Sequence, residues 1–518
     1  MAIVPVDKCG EAGLILDIHP QELVPNAWSQ VKNFVFREGF AERAYGHVAV
    51  NGTPLVEPWH LANFLSVNGN AWVYAGLQKI YGIDADLIHS NITRQSAGVD
   101  VDYSGDPNSK WNSTMLSGIV ILNNGFDLPQ FWPGTGKCAD LTNWPTNVRC
   151  KVMRAFRNYL IALNVTKDGN NYPHLVKWSH VADPGTLPSS WDVTDTTKDA
   201  GEYDLADDQT ELMDGLALGE QFIAYKRSGY YAVSFIGSPF IFRFQKISGL
   251  YGGALGTNCV TEFPGGHFVL GRGDVYVHQA TAPESVIDAR NRKWLFRQLD
   301  SDFQSRAFTM PSPAANELWI CFPQVNDETC TLALVWNWKY NTWGVRELPG
   351  VVHGCAGSVN YSQPNTWETL QKGWQAGAVT WNQNISTLPS TNTVLASPTN
   401  VKTYAIELTS AFDGSPYEAY VSRDHIRFER PNTVKMLKEV RPIIEGPRGS
   451  TIQVYLTASY DQMTDPTVYG PYPFVIGIDQ KIDCDVVGRM LGVKFSSTEE
   501  FAWRVKRYDL EIEEIGLY

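Results

Sequence analysis

Between positions 190 and 220 the chain carries ten carboxylates against one base, Lys198: Asp192, Asp195, Asp199, Glu202, Asp204, Asp207, Asp208, Glu211, Asp214 and Glu220. A run of this sign repels a polyanion rather than gripping it. Two closer pairs, Asp84/Asp86 and Asp100/Asp102, could offer oxygens to calcium, but neither continues with the Gly and Glu of a calcium loop, so they read as solvated loop carboxylates. Gly271-Arg-Gly273 lies between two strand-like runs instead of opening a helix, which makes it a hairpin turn and not a phosphate cradle. The eight cysteines, at 9, 138, 150, 259, 321, 330, 355 and 484, include no Cys-x-x-Cys pair and no His at ligand spacing, so no zinc site is expected. They read as free thiols, with Cys321 and Cys330 able to face each other across a hairpin. Single histidines such as His60, His267 and His353 read as core or loop residues. No nucleophile elbow, zinc-protease or Walker run is present. The expectation is a protein without catalytic residues, cofactor or metal.

The elements that must carry these residues are strands. Aromatic residues make 12% of the chain, with 17 Trp, 23 Tyr and 23 Phe, against 19% charged residues, and flat rings pack well on a pleated surface. The net charge of −13 excludes a general basic footprint for nucleic acid. No basic, then apolar, leader and no membrane-length run is seen, so a chain kept soluble in a cytoplasm is expected.

Short alternating runs bounded by Gly, Asn, Asp and Pro recur in loosely similar units starting near Trp72, Thr114, Val152, Glu211, Cys259 and Ser305. Their spacing approaches that of a four-stranded blade, which predicts an all-β fold with a β-propeller of about six blades over residues 61–385. Five or seven blades also fit, with residues 351–383 available to close the ring. Asn124-Gly125 predicts a tight hairpin. Residues 1–60 are expected to pack on or complete the β domains. The polar, uncharged segment 386–400 reads as a linker, and about seven short strands over 401–518 suit a β-sandwich.

Some propellers cleave glycans. Ser179-His-Val-Ala-Asp-Pro-Gly-Thr-Leu-Pro-Ser-Ser-Trp191 loosely echoes the Asp-containing turn of sialidases, which makes a carbohydrate-binding or carbohydrate-cleaving propeller, for example a receptor-engaging tail component, the competing class. More of the chain is similar to another family. Asp17-Ile-His-Pro-Gln-Glu-Leu-Val-Pro-Asn-Ala-Trp28, Asn33-Phe-Val-Phe-Arg-Glu-Gly-Phe-Ala-Glu-Arg43, Arg154-Ala-Phe-Arg-Asn-Tyr-Leu-Ile-Ala-Leu-Asn164, Val176-Lys-Trp-Ser-His-Val-Ala-Asp-Pro-Gly185 and Val335-Trp-Asn-Trp-Lys-Tyr-Asn-Thr-Trp343 resemble runs of short-tailed bacteriophage tail nozzle proteins, also called tail hub or tail tubular proteins. So do Phe240-Ile-Phe-Arg-Phe-Gln-Lys-Ile-Ser248, Gly271-Arg-Gly-Asp-Val-Tyr-Val277 and Gly488-Arg-Met-Leu-Gly-Val-Lys-Phe495 with 503–512.

The resemblance implies a virion structural protein assembled in the host cytoplasm. It would be one subunit of a ring, a hexamer, below the head-to-tail adaptor. Tail fibres or a tail needle would be neighbours, and genomic DNA would pass through the lumen without sequence-specific binding. Acidic walls would limit sticking of the duplex, because each neutralised phosphate releases counterions and adds affinity. On that reasoning Asp192, Asp195, Asp199, Glu202, Asp204, Asp207, Asp208, Glu211 and Asp214 are candidate channel or gate residues. A solvated outer loop or a fibre-docking face is the alternative.

Overall fold

The computed structural model describes residues 2–66, 69–247, 252–279, 283–359, 390–461 and 464–517. The alternating runs form strands throughout, and the one α-helix among the described residues is the short Arg292–Gln298. The fold is all-β, and no sheet closes into a barrel among these residues.

Seven four-stranded antiparallel units can be traced among the described residues. Unit I comprises His60–Ser66, Gly69–Ala75, Ile80–Ile83 and His89–Asn91; unit II, Asn112–Leu116, Ile119–Asn123, Gln130–Trp132 and Ala139–Asp140. Unit III comprises Val148–Phe156, Tyr159–Lys167, Asn170–Trp178 and Gly201–Asp204; unit IV, Leu212–Leu218, Gln221–Lys226, Tyr230–Phe235 and Phe242–Ile247. Unit V comprises Val260–Phe263, Gly266–Leu270, Val275–His278 and Glu284–Ser285; unit VI, Phe308–Ser312, Glu317–Phe322, Cys330–Asn337 and Thr342–Val351. Unit VII combines His353–Val359, Ser390–Ser397 and Lys402–Ile406 with His47–Val50 from near the chain start. The first strands of consecutive units neighbour one another in chain order, and that of unit VII lies against that of unit I. The circuit is closed.

Tight turns set several registers. Ser117 (φ 51°) and Gly118 (φ 83°) link the first two strands of unit II, a two-residue loop with both φ values positive, which matches the twist of the flanking strands. Asn124-Gly125 instead opens a longer loop over residues 124–129. There Asn124 Oδ1 accepts from Phe126 N and Asp127 N, so its side chain stabilises a wider turn.

Of the segment expected as a linker, 386–400, Ser390–Ser397 is a strand paired on both sides, with Val394, Leu395 and Ala396 buried. Its polar composition does not prevent this. Thr393 Oγ1 donates to Pro311 O and Ser397 Oγ to Pro349 O, so the hydroxyls find partners inside the sheet stack. Residues 360–389, which include most of the expected ring-closing segment, lie outside the described residues.

Unit VI does not end at its fourth strand. Its sheet continues through the hairpin Phe34–Arg37 and Phe40–Arg43 into Arg504–Leu517, Thr433–Glu445 and Ile482–Gly488, with Ala2–Val6 also paired to Arg504–Leu517. A second sheet orders Gln30–Lys32, Ala419–Ile426, Met490–Ser497, Thr451–Ser459 and Thr467–Val475. The two sheets share one apolar core, which includes Trp28, Phe34, Val421, Leu437, Val454, Phe495, Trp503 and Tyr508. The Asp17–Trp28 run is tied down by polar bonds: Asp17 accepts from the backbone of Lys293 and Trp294 at the helix start, and Trp28 Nε1 donates to Cys9 O.

Candidate functional site

A first strand that faces its neighbours on both sides has no solvent for its inward polar groups, so any polar residue there must find a protein partner. Units II to V place three such residues together with Asn258, which lies just before the first strand of unit V. Arg154 donates from Nε to Asp214 Oδ1 at 2.9 Å and from Nη2 to Asp214 Oδ2 at 3.0 Å. Its remaining donors reach Ser113 O at 3.0 Å and Asn258 Oδ1 at 3.1 Å. Asp214 is fully buried and also accepts from Gly215 N and Asn258 N. Asn112 Oδ1 accepts from Met153 N, and Asn258 Nδ2 donates to Trp111 O. Guanidinium and carboxylate neutralise each other in a bidentate pair. Neither is free for acid/base work.

Units VII and I add a close, tilted imidazole pair. The His60 and His353 rings lie 4.1 Å apart. His60 Nε2 bonds Ser113 Oγ at 2.9 Å, and Leu61 N donates to His353 Nδ1, which is therefore unprotonated. Burial, then the neighbouring His353 and Arg154, holds His60 well below the usual histidine range. Burial, then Lys110 and Arg154, brings His353 down to about 3. Both rings are neutral at physiological pH.

Beside this network, a cavity of about 430 Å3 is lined from the segments that lead into the first strands of units II, V and VI and from the first strands of III and IV. Lys110, Lys151, Arg227 and Arg272 contribute to its wall, as do Asp106 and Asp302.

The acidic segment is spread over units III and IV and is largely partnered. Asp192 and Asp195 close local turns on Thr194 and Thr197; Asp199 accepts from Tyr159 Oη. Glu202 pairs with Lys167 and Lys177, and Asp207 accepts from Tyr231 Oη. Asp208 pairs with the buried Lys226 and with Lys246, and Glu211 with Lys151 and Arg227. Asp204 is exposed at the end of the fourth strand of unit III. Asp214 is the member of this set that joins the Arg154 network. The acids are thus not brought together as one surface.

The other sequence candidates are placed equally plainly. Asp84 Oδ1 accepts from Asp86 N and Ile88 N, while Asp100 pairs with Lys137 and Asp102 with Lys79. Gly271 N bonds Asp274 O in a turn between two strands. His267 lies between Tyr225 Oη and Ala217 O. All eight cysteines are free, and Cys321 faces Ala333, not Cys330, across its hairpin. No group of three or more metal-binding side chains occurs among the described residues, and no helix there is long and apolar enough to cross a membrane. Sequence reasoning missed Arg154, Asn112 and Asn258. For Arg154 the available signal was a charged residue interrupting an apolar strand, Val152-Met-Arg-Ala-Phe156.

No protein-family model and no curated protein matches the sequence. Among solved structures the chain is similar to PorZ, described as an essential bacterial surface component of the type-IX secretion system of Porphyromonas gingivalis. The identity is 9% and the TM-score 0.35, over 76% of this chain and 44% of that one. It is also similar to the computationally designed Ika8 protein, at 11% identity and TM-score 0.33, over 69% of this chain and 98% of that one. The chain spans less than half the length of the PorZ chain. Likenesses at these TM-scores carry no argument about function.

Proposed function

We propose that the chain is a tail nozzle subunit of a short-tailed bacteriophage, built as a seven-bladed β-propeller (units I to VII) joined to a C-terminal β-sandwich. The closed circuit of first strands supports the propeller, and seven units replace the expected six because His47–Val50 completes the last. The continuous sheet from unit VI into the C-terminal strands supports a rigid body suited to a tail wall.

The observation that carries the reading is the filled centre. Arg154, Asp214 and Asn258 bond one another there, and Asn112 bonds Met153 N and Lys151 O beside them; with the first strands bridged in this way a duplex would not thread one copy, and the conduit would run between copies. Exposed apolar side chains, among them Ile236, Phe240, Val468 and Leu517, supply surface for such contacts. In this assembly the adaptor lies above the ring, and fibres or a needle attach to it. Asp204, exposed and with no ion pair among the described residues, is the acid suited to face passing DNA. The second reading, a carbohydrate-binding or carbohydrate-cleaving propeller, draws on the charged cavity.

Electron microscopy of the purified chain, alone and with its adaptor, tests the proposal. Six-fold rings with a central hole are expected. Monomers under both conditions would remove it.

A further inference from the structure

We propose that the cavity of about 430 Å3 beside the ring centre is a binding site for a small hydroxylated anion, a sugar bearing a phosphate or carboxylate group. The inference is independent of ring assembly. The volume falls within the usual range for small-molecule sites, roughly 300–1,000 Å3.

Its wall holds more cationic donors than the protein itself uses. Lys110 Nζ donates to Thr257 O at 2.9 Å and to Ala307 O. An ammonium has three N–H bonds, so one remains. Burial holds the Lys110 pKa below the usual lysine value, although the Asp214 carboxylate acts in the opposite direction. Lys151 and Arg227 share a single carboxylate, Glu211. Arg272, on an exposed turn, has no hydrogen-bonded or ionic partner among the described residues. An anionic group with several acceptor oxygens would satisfy these donors together.

The rest of the lining argues for hydroxyls on the same ligand. Asp106 and Asp302 also face the cavity, and among the described residues they are held by Asn108 N and by Ser301 Oγ. They would repel a bare multiply charged ion yet accept from sugar hydroxyls. Asn108 and Gln304 add amide groups, while Phe126 and Leu255 offer apolar contact to ring C–H groups.

Isothermal titration calorimetry of the full chain at low salt, with glucose 6-phosphate, glucuronate, glucose and inorganic phosphate, tests this. One or both acidic sugars should bind, which also tells phosphate from carboxylate, and glucose should not. The variant Lys151→Ala/Arg272→Ala should weaken binding about tenfold or more, whereas Lys293→Ala, at an exposed site elsewhere, should leave it unchanged. Arg272→Glu alone, at its exposed turn, should also weaken binding and serves if the double variant does not fold. Binding of neither acidic sugar, binding of inorganic phosphate without either sugar, or affinity insensitive to Arg272→Glu would overturn the proposal.

Discussion

Replacing Glu407 with Gln should loosen the seam at which the circuit closes. Arg37, from the N-terminal hairpin, donates to Glu317 Oε1 at 2.7 Å and to Glu407 Oε2 at 2.9 Å. Arg346, in the fourth strand of unit VI, donates to the other oxygen of Glu407 and to Tyr45 O. Glu407 follows the third strand of unit VII, and Tyr45 leads into His47–Val50. One carboxylate therefore bridges the hairpin and unit VI to the strands that complete unit VII. The site is largely buried, with side-chain exposures of 3% for Arg346, 17% for Glu407 and 1% for Glu317. Gln keeps the shape but turns one of two accepting oxygens into a donor facing a guanidinium.

Each charge-assisted bond is worth about 1.5–3 kcal/mol, and breaking a buried pair costs about 3–5 kcal/mol. With Glu317 still holding Arg37, a loss of about 3 kcal/mol is expected. Urea unfolding at pH 7, followed by tryptophan fluorescence, reads it. Burial pushes the Glu407 carboxyl up, and Arg37 and Arg346 more than cancel this, so its pKa is lowered in the folded chain. The stabilisation is thus present above the unfolded glutamate value, about 4.3, and is lost as pH falls through the folded value. Wild type and Glu407→Gln should converge in acid. A difference under about 0.5 kcal/mol at pH 7, the size expected of an unremarkable surface change, or one undiminished in acid, would refute the reasoning.

Three further outcomes follow from the same packing. Asp214→Asn should destabilise by about 3–5 kcal/mol because it strands buried Arg154, while a double change to Met and Leu at 154 and 214 should recover part of that; equal losses in urea midpoint would contradict it. Asp208→Asn should cost about 2–4 kcal/mol, since Lys226 beside it has no exposed side-chain surface, whereas Asp204→Asn at its exposed position should stay within about 0.5 kcal/mol. His353, at about 3, and His47 and His278, each at about 4, are lowered chiefly by burial. Stability is therefore complete above the unfolded histidine value, about 6.5, and falls as pH drops below it toward the folded values, by roughly 1.4 kcal/mol per pH unit per histidine. His353→Gln should flatten the urea midpoint between pH 6.5 and 4.5, and an unchanged slope would count against neutral burial.

Strand content and most unit starts were legible because alternation and turn residues are local signals. The expected starts at Thr114, Val152, Glu211, Cys259 and Ser305 lie within a few residues of first strands beginning at Asn112, Val148, Leu212, Val260 and Phe308. Trp72 instead falls in a second strand, because His60-Leu-Ala-Asn-Phe mixes polar and apolar residues without strict alternation. Unit VII was hidden for a topological reason. His47–Val50 pairs with residues 403–406, and alternation reports which face a strand buries but not which distant strand it joins. The same limit hid the hairpin 34–43 inside the long sheet.

The interval between units III and IV contains the loop from Ser179 to Ala200, with Trp191 buried against Trp144. Net charge located the acidic stretch there but not the partners of its members. Lys151, Lys167, Lys177, Lys226 and Arg227 come from other strands, so the residual negative charge is smaller than the sequence implies.

A cryo-electron microscopy map of the purified assembly tests the central claim most directly. The account predicts six copies around a duplex-wide lumen walled by several chains, with density for Arg154 and Asp214 filling the centre of each copy. A map in which single copies stand alone, or in which an open passage runs through the centre of one chain, would contradict it.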